Sequence, residues 1–189
     1  MRFSNRWPVL SQASAMNLVE LNEATRVLML DELQMDQERG ELYISKRLSQ
    51  AGRGQYPQLL HDALAGGTPA TLAEDLRQPG VLNASLVRRD GRLQAMPSNA
   101  PDMLAEGEFN RFYVRAVCRL ALDEGLTEVL VYRAKHVAEA RADSERRVGV
   151  YLDATQLLDD LRQNVGAQAA LGVPNGPNSG LSVRLPDPD

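Results

Sequence analysis

The stretch APDMLAEGEFNRFYVRAVCRLALDEGLTEVLVYR, residues 100–133, decides the fold class. Ala100-Pro101 opens it, and proline suits the first turn of a helix, where an N–H has no partner to lose. Met103, Leu104, Phe109, Phe112, Ala116, Val117 and Leu120 then recur at helical spacing. That spacing predicts a helix over about 101–124 with these residues as its core face, closed by Gly125. Glu128-Val129-Leu130-Val131-Tyr132 follows at once. An apolar, β-branched run of this kind predicts a central strand, about 128–133, flanked on both sides. A long helix that hands over to a buried strand implies an α+β chain, mainly helical with a small sheet.

Toward the N-terminus the pattern is helical. Asn22 is a good N-cap and Gly40 a left-handed stop, so residues 22–39 predict a helix. Its apolar positions are Ala24, Val27, Leu28, Leu30 and Leu33, and its outward face is read as acidic: Asp31, Glu32, Asp36 and Glu38. Leu42-Tyr43-Ile44-Ser45 leaves strand and turn both open. Gly52-Arg53-Gly54 reads as a flexible break. A helix is expected from about Pro57, with Leu59, Leu60, Ala63 and Leu64 inward. Thr68-Pro69 starts another, carrying Leu72, Ala73 and Leu76, and Pro79-Gly80 ends it. Residues 86–95 suggest a hairpin, with Asp90-Gly91 at a type I′ turn and little apolar content.

Beyond the central strand, residues 134–147 are polar and read as a loop or short exposed helix. Val148 to Leu152 is a second strand candidate. Asp153 caps a helix through Asn164, with Gln156 in the capping-box position and Leu157, Leu158 and Leu161 inward. Residues 181–185 alternate like a strand, which usually joins a sheet edge or a neighbouring subunit. The organisation expected is an arm over 1–20, a helical unit over 21–80, an α+β unit over 81–170 and a Gly/Pro-rich tail over 171–189, as one folded domain with arms.

Composition narrows the function classes. The 189 residues are 43% hydrophobic and carry 21 basic and 25 acidic side chains, one cysteine and two histidines. One cysteine cannot form an internal disulfide. No apolar run reaches the ~18 residues of a membrane span, and the start lacks the apolar stretch of a signal peptide, so a cytoplasmic location is expected. Of the basic residues all but Lys46 and Lys135 are arginine, whose planar fork suits carboxylates, phosphates and interface pairs. Residues 1–94 are balanced at 11 basic and 11 acidic, so the net charge of −4 arises in the second half.

No catalytic set stands out. Cys118 sits between Val117 and Arg119 and reads as a small buried thiol rather than a partner for His61 or His136. No metal-ligand spacing, P-loop or dinucleotide fingerprint occurs, so neither metal nor cofactor is expected. The most distinctive constellation is Arg111, Arg115 and Arg119, four apart on one helical stripe beside Phe109, Phe112 and Tyr113, with Arg133 and Lys135 at the end of the strand and Arg141, Arg146 and Arg147 beyond. Three readings compete: a solvated face paired with Glu108, Asp123 and Glu145; a protein interface with aromatic anchors; or phosphate and nucleic-acid contact. The tail loop, residues 172–180, reads as a surface connection or as a nest of amides for an anion.

Residues 105–115, AEGEFNRFYVR, and 176–185, GPNSGLSVRL, together resemble short uncharacterised bacterial and prophage-encoded proteins of phage structural gene blocks. The resemblance implies a virion or assembly role and transfers no site. The leading expectation is a non-enzymatic structural or assembly protein, in a virion if phage-encoded, with both termini and the arginine stripe reaching other protein subunits. The alternative is a phosphate- or nucleic-acid-binding module or enzyme using Arg111, Arg115, Arg119, Arg133 and Lys135.

Overall fold

The computed structural model describes residues 15–88, 90–137, 142–166, 169–174 and 179–187. In chain order the elements are α1 (Glu23–Arg39), α2 (Gln50–Gly66), α3 (Pro69–Leu76), β1 (Ser85–Val87), β2 (Leu93–Ala95), α4 (Ala100–Asp123), β3 (Glu128–Arg133), α5 (Ala142–Glu145), β4 (Tyr151–Asp153), α6 (Ala154–Gln163) and β5 (Leu181–Arg184). This is the mainly helical α+β chain with a small sheet that the sequence predicts. Trp7 of the expected arm, Arg89, Arg141 and positions 175–178 of the tail loop lie outside the described residues.

α4 is the axis. Rather than presenting one core face, it is buried on every side from Glu108 to Cys118. α1, α3 and α6 pack around it, and β3 and β5 close on it from the sheet. The expected core residues Met103 and Leu120 are only half-buried, because the wrapping is complete in the middle of the helix and thins toward its ends. One cluster of buried apolar side chains runs from Leu18 to Val183 through all these elements.

α1 begins and ends where the caps indicate, at Asn22 and Gly40. Its buried face is different. Thr25, Met29, Glu32, Leu33 and Asp36 point inward, while Val27 is 54% exposed and Ala24 is exposed. Glu32 and Asp36 are therefore not on an outward acidic face; they are turned in toward α4 by the partners described below.

Two glycines in the expected flexible break lie inside α2. Ser49 caps this helix by accepting from Gly52 N–H at 2.9 Å, so the helix starts well before Pro57. A Cβ on Gly52 would stand 2.0 Å from the Val81 carbonyl oxygen. Here glycine permits close approach rather than flexibility. The same corner is tied by Ser49 N–H to Val81 C=O at 3.0 Å and by a bridge between Leu48 and Leu82. Residues 42–45 form neither strand nor turn.

β1 and β2 pair antiparallel with Val87 opposite Leu93. The turn is not type I′. Gly91 has φ 79°, but Asp90 does not share the positive-φ region; Gly91 N–H instead donates to Arg88 C=O at 3.0 Å and Arg88 N–H to Arg92 C=O at 2.8 Å.

The second sheet is antiparallel in the order β4-β3-β5, with Leu130 paired to Tyr151 on one side and to Arg184 on the other. β4 begins at Tyr151 rather than Val148, because Gly149 and Val150 both bond to the single residue Val131. Val131 N–H donates to Val150 C=O at 2.9 Å, and Gly149 N–H donates to Val131 C=O at 2.9 Å. The C-terminal strand joins the sheet of its own chain beside β3, and Leu181, Ser182 and Val183 are fully buried. Residues 15–20 also fold back: Tyr132 hydroxyl donates to Asn17 C=O at 2.7 Å, and Leu185 N–H donates to Glu20 Oε1 at 3.2 Å.

The two helical glycines of α2 make opposite predictions. Gly52→Ala forces its methyl into Val81 and should cost about 3 kcal/mol. At Gly54 an added methyl would meet nothing within 4 Å, so Gly54→Ala should stabilise by up to about 1 kcal/mol through helix propensity. Chemical denaturation of both variants checks the contrast; equal effects would contradict the close approach.

Candidate functional site

The arginine stripe of α4 is an internal scaffold. Arg115 is 1% exposed. Its Nε donates to Glu32 Oε2 at 2.8 Å, and its Nη1 and Nη2 grip both oxygens of Asp36 at 2.7 and 2.8 Å. Its guanidinium lies 5.1 Å from the Phe112 ring centroid. Glu32, with no exposed surface, also accepts from Arg162 Nε at 3.0 Å and from Arg119 Nη1 at 3.3 Å. Arg119 reaches Asp31 at 3.4 Å on the outer side. Three arginines from α4 and α6 thus meet three carboxylates from α1; Arg115, Glu32 and Asp36 are paired where water is excluded, and Arg119, Arg162 and Asp31 extend the network toward the surface.

The other candidate cations do not converge with these. Arg111 Nη1 donates to the carbonyls of Leu161 and Asn164 at 2.9 and 3.0 Å, so it caps the C-terminal end of α6. Arg133 bridges Ser179 C=O at 2.9 Å and Glu145 at 2.8 Å. Lys135 Nζ meets Glu106 at 2.5 Å. Phe109, Phe112 and Tyr113 are at most 1% exposed and belong to the core, not to a surface anchor. All five candidate cations therefore hold acceptors of their own chain. Of the acidic partners expected from sequence, Glu145 pairs with Arg133; Asp123 does not take up Arg119.

The electrostatics follow from burial. Burial alone raises the Glu32 carboxyl, but hydrogen bonds and charge from Arg162 and Arg115 outweigh it and hold the group below its usual range. Glu108 goes the other way. Burial pushes its carboxyl up to about 7, with Asp36 adding to the rise and Arg111 and Arg115 opposing it. Burial likewise pushes the Cys118 thiol up, in keeping with an inert core thiol. His61 is half-exposed on α2 beside Asp62 at 3.2 Å, whereas Cys118 is in the interior.

With the interior charges engaged, the surface offers two different features. The first is the outer edge of β4, which pairs with no strand among the described residues. Val148, Val150 and Tyr151 beside it are 41%, 40% and 50% exposed. The second is the β1–β2 ribbon, whose directly opposed Val87 and Leu93 are 71% and 74% exposed. Sequence reasoning missed both as sites. The apolar run 148–152 was the available signal for the first, and the ribbon's low apolar content concealed the second.

Among the described residues no group of three or more His, Cys, Asp and Glu side chains is arranged to hold a metal ion. No described helix is long and apolar enough to cross a membrane. Comparison of the chain with protein-family models, curated proteins and solved structures finds no match.

Two predictions test the scaffold. Arg115→Ala leaves Glu32 and Asp36 buried without their main partner and should cost about 3–5 kcal/mol in denaturant unfolding; a loss below about 1 kcal/mol would mean that the cluster rearranges at little cost. Glu108 is protonated in the fold and ionised in the unfolded chain between about pH 4.5 and 7. Its contribution is therefore present at low pH and lost as pH rises through about 7, amounting to about 3 kcal/mol. Glu32 acts in the opposite window, losing stability only as pH falls below the usual carboxylate range. Thermal melts at about pH 5 and 8 should show the native chain less stable at the higher pH, and Glu108→Gln should flatten that difference.

Proposed function

We propose that the protein is a non-enzymatic structural or assembly protein that works through subunit contacts, and that the contact is made by the β4 edge. The observation that carries this reading is the coincidence of an unpaired strand edge with three exposed large apolar side chains within residues 148–151. An edge of this kind offers main-chain donors and acceptors to another strand, and the apolar side chains supply the burial. A second copy of the chain is the partner: antiparallel pairing of β4 with its own mate satisfies both edges at once through a two-fold axis. The termini, which the sequence suggests as the reaching elements, are not needed. The resemblance of residues 105–115 and 176–185 to proteins of phage structural gene blocks supports placing such an assembly in a phage-like particle.

The alternative, phosphate or nucleic-acid binding by Arg111, Arg115, Arg119, Arg133 and Lys135, draws no support from their geometry, since each already holds acceptors within the chain.

Size-exclusion chromatography with light scattering tests the assembly reading. The native chain should be dimeric or larger at high concentration. The double variant Val150→Asp, Tyr151→Asp should be monomeric with an unchanged melting temperature. A native chain that stays monomeric would sink the proposal.

A further inference from the structure

The arginines that sequence density selects are engaged, so the informative question is which basic side chains are left. Arg77, Arg115, Arg119, Arg133, Lys135, Arg146, Arg162 and Arg184 have carboxylate partners. Arg26, Arg111 and Arg147 hold backbone carbonyls. Apart from Arg39, which lines a shallow depression together with Glu41 and Asp159, the described arginines and lysines with neither an ion pair nor a short bond to a carbonyl are Lys46, Arg47, Arg53, Arg88 and Arg92. Of these, Arg53 makes one long contact, from Nε to Leu48 C=O at 3.5 Å. Lys46 and Arg47 lie in the loop that leads into α2, Arg53 near the start of α2, and Arg88 and Arg92 at the end of the ribbon that follows Asn83. Asn83 N–H donates to Arg47 C=O at 2.9 Å, and its side-chain amide donates to Lys46 C=O at 3.1 Å and Leu48 C=O at 3.0 Å. Those bonds fix the base of the ribbon to the loop that leads into α2, where Arg53 occupies the first turns. Lys46, Arg53, Arg88 and Arg92 are exposed and Arg47 is half-exposed.

The surrounding sequence concentrates the effect. Residues 42–54 and 80–99 together contain six basic residues and a single acid, Asp90, in a chain whose net charge is −4. Asp90 is turned back on its own loop, where its Oδ1 accepts from Arg92 N–H at 3.1 Å. A positive face on an acidic chain is attractive to a polyanion at short range while the rest of the molecule repels it, which orients the approach.

We propose that this face binds double-stranded nucleic acid through its phosphate backbone, with the β1–β2 ribbon entering a groove. The surface cations flanking the ribbon are mostly arginine, whose forks match phosphate oxygens. A two-stranded ribbon has dimensions that the major groove of DNA admits. Its exposed pair, Val87 and Leu93, sits between the basic positions, where apolar side chains meet sugars and base edges or wedge a base step. The ribbon carries no aromatic residue on which unpaired bases would stack, which favours a duplex over a single strand. An anionic bilayer usually receives an amphipathic helix with a basic rim rather than a two-sided ribbon. The basic face is distinct from the β4 edge, and its binding does not depend on the assembly reading.

Fluorescence anisotropy of a short labelled DNA duplex of arbitrary sequence, titrated with the full chain, tests it. Five phosphate contacts give a log–log salt slope of about −4.5, so affinity should fall roughly several-hundred-fold between about 50 and 200 mM salt. The variant Arg88→Ser, Arg92→Ser should bind more weakly, with a slope shallower by about 2. Arg146→Ser, which removes a paired surface arginine elsewhere, should bind like the native chain. Equal melting temperatures would show that these exposed changes leave the fold intact. No binding at about 50 mM salt, or an unchanged slope in the double variant, would overturn the proposal. So would tighter binding to phosphatidylglycerol vesicles than to the duplex, which would hand the face to a membrane.

Discussion

A guanidinium taken out of water must be matched by carboxylates that are equally committed, and in this protein that constraint organises the helices. Arg115 stands at the middle of α4, where the helix is surrounded, so it has no route to solvent. Glu32 and Asp36 meet it from successive turns of α1, and Arg162 brings α6 to the same carboxylate. The desolvation cost of such a cluster is high, and its geometry has to be good for the attraction to offset it. α1 therefore sits in the one rotation that aims its acids inward, even though this leaves Val27 more than half exposed. The cluster adds specificity of orientation, and the apolar core supplies the bulk of the driving force.

How far this could be read in the sequence depends on the range of the interaction. Caps are local, so Asn22, Thr68 and Asp153 announce their helices correctly. The strand at 128–133 and the terminal strand are visible in short apolar patterns. The face of α1 is not, because periodicity assigns acids to solvent by default, and the partner that reverses this lies some eighty residues away at Arg115. Gly52 and Gly54 mislead for the same reason: locally they suggest a break, whereas the cap at Ser49 and the approach of Val81 decide otherwise.

The candidate site shows a parallel limit. Counting charges locates Arg111, Arg115, Arg119, Arg133 and Lys135, but a count does not reveal which cations are already satisfied. A dense mixture of both signs signals internal pairing, as holds for Arg115 and Arg119 of the stripe with Glu32 and for Lys135 with Glu106. The windows 42–54 and 80–99 carry fewer charges and almost no acids, and their described basic side chains have no ion pair. Imbalance over a short window is the more telling quantity, because an unmatched charge has to face water or a partner.

The pairing order of the larger sheet has a consequence for how the chain is made. β3 lies between β4 and β5, and β5 follows it by some fifty residues. During N-to-C synthesis β3 and the upper part of α4 emerge while one edge of the strand still lacks its mate. Asn110 then has neither the Leu181 carbonyl nor the Ser182 hydroxyl that later occupy its amide. The nascent chain accordingly passes through an interval with an open, apolar strand edge, and the arrival of residues 181–184 works as an internal latch that ends its exposure to other chains.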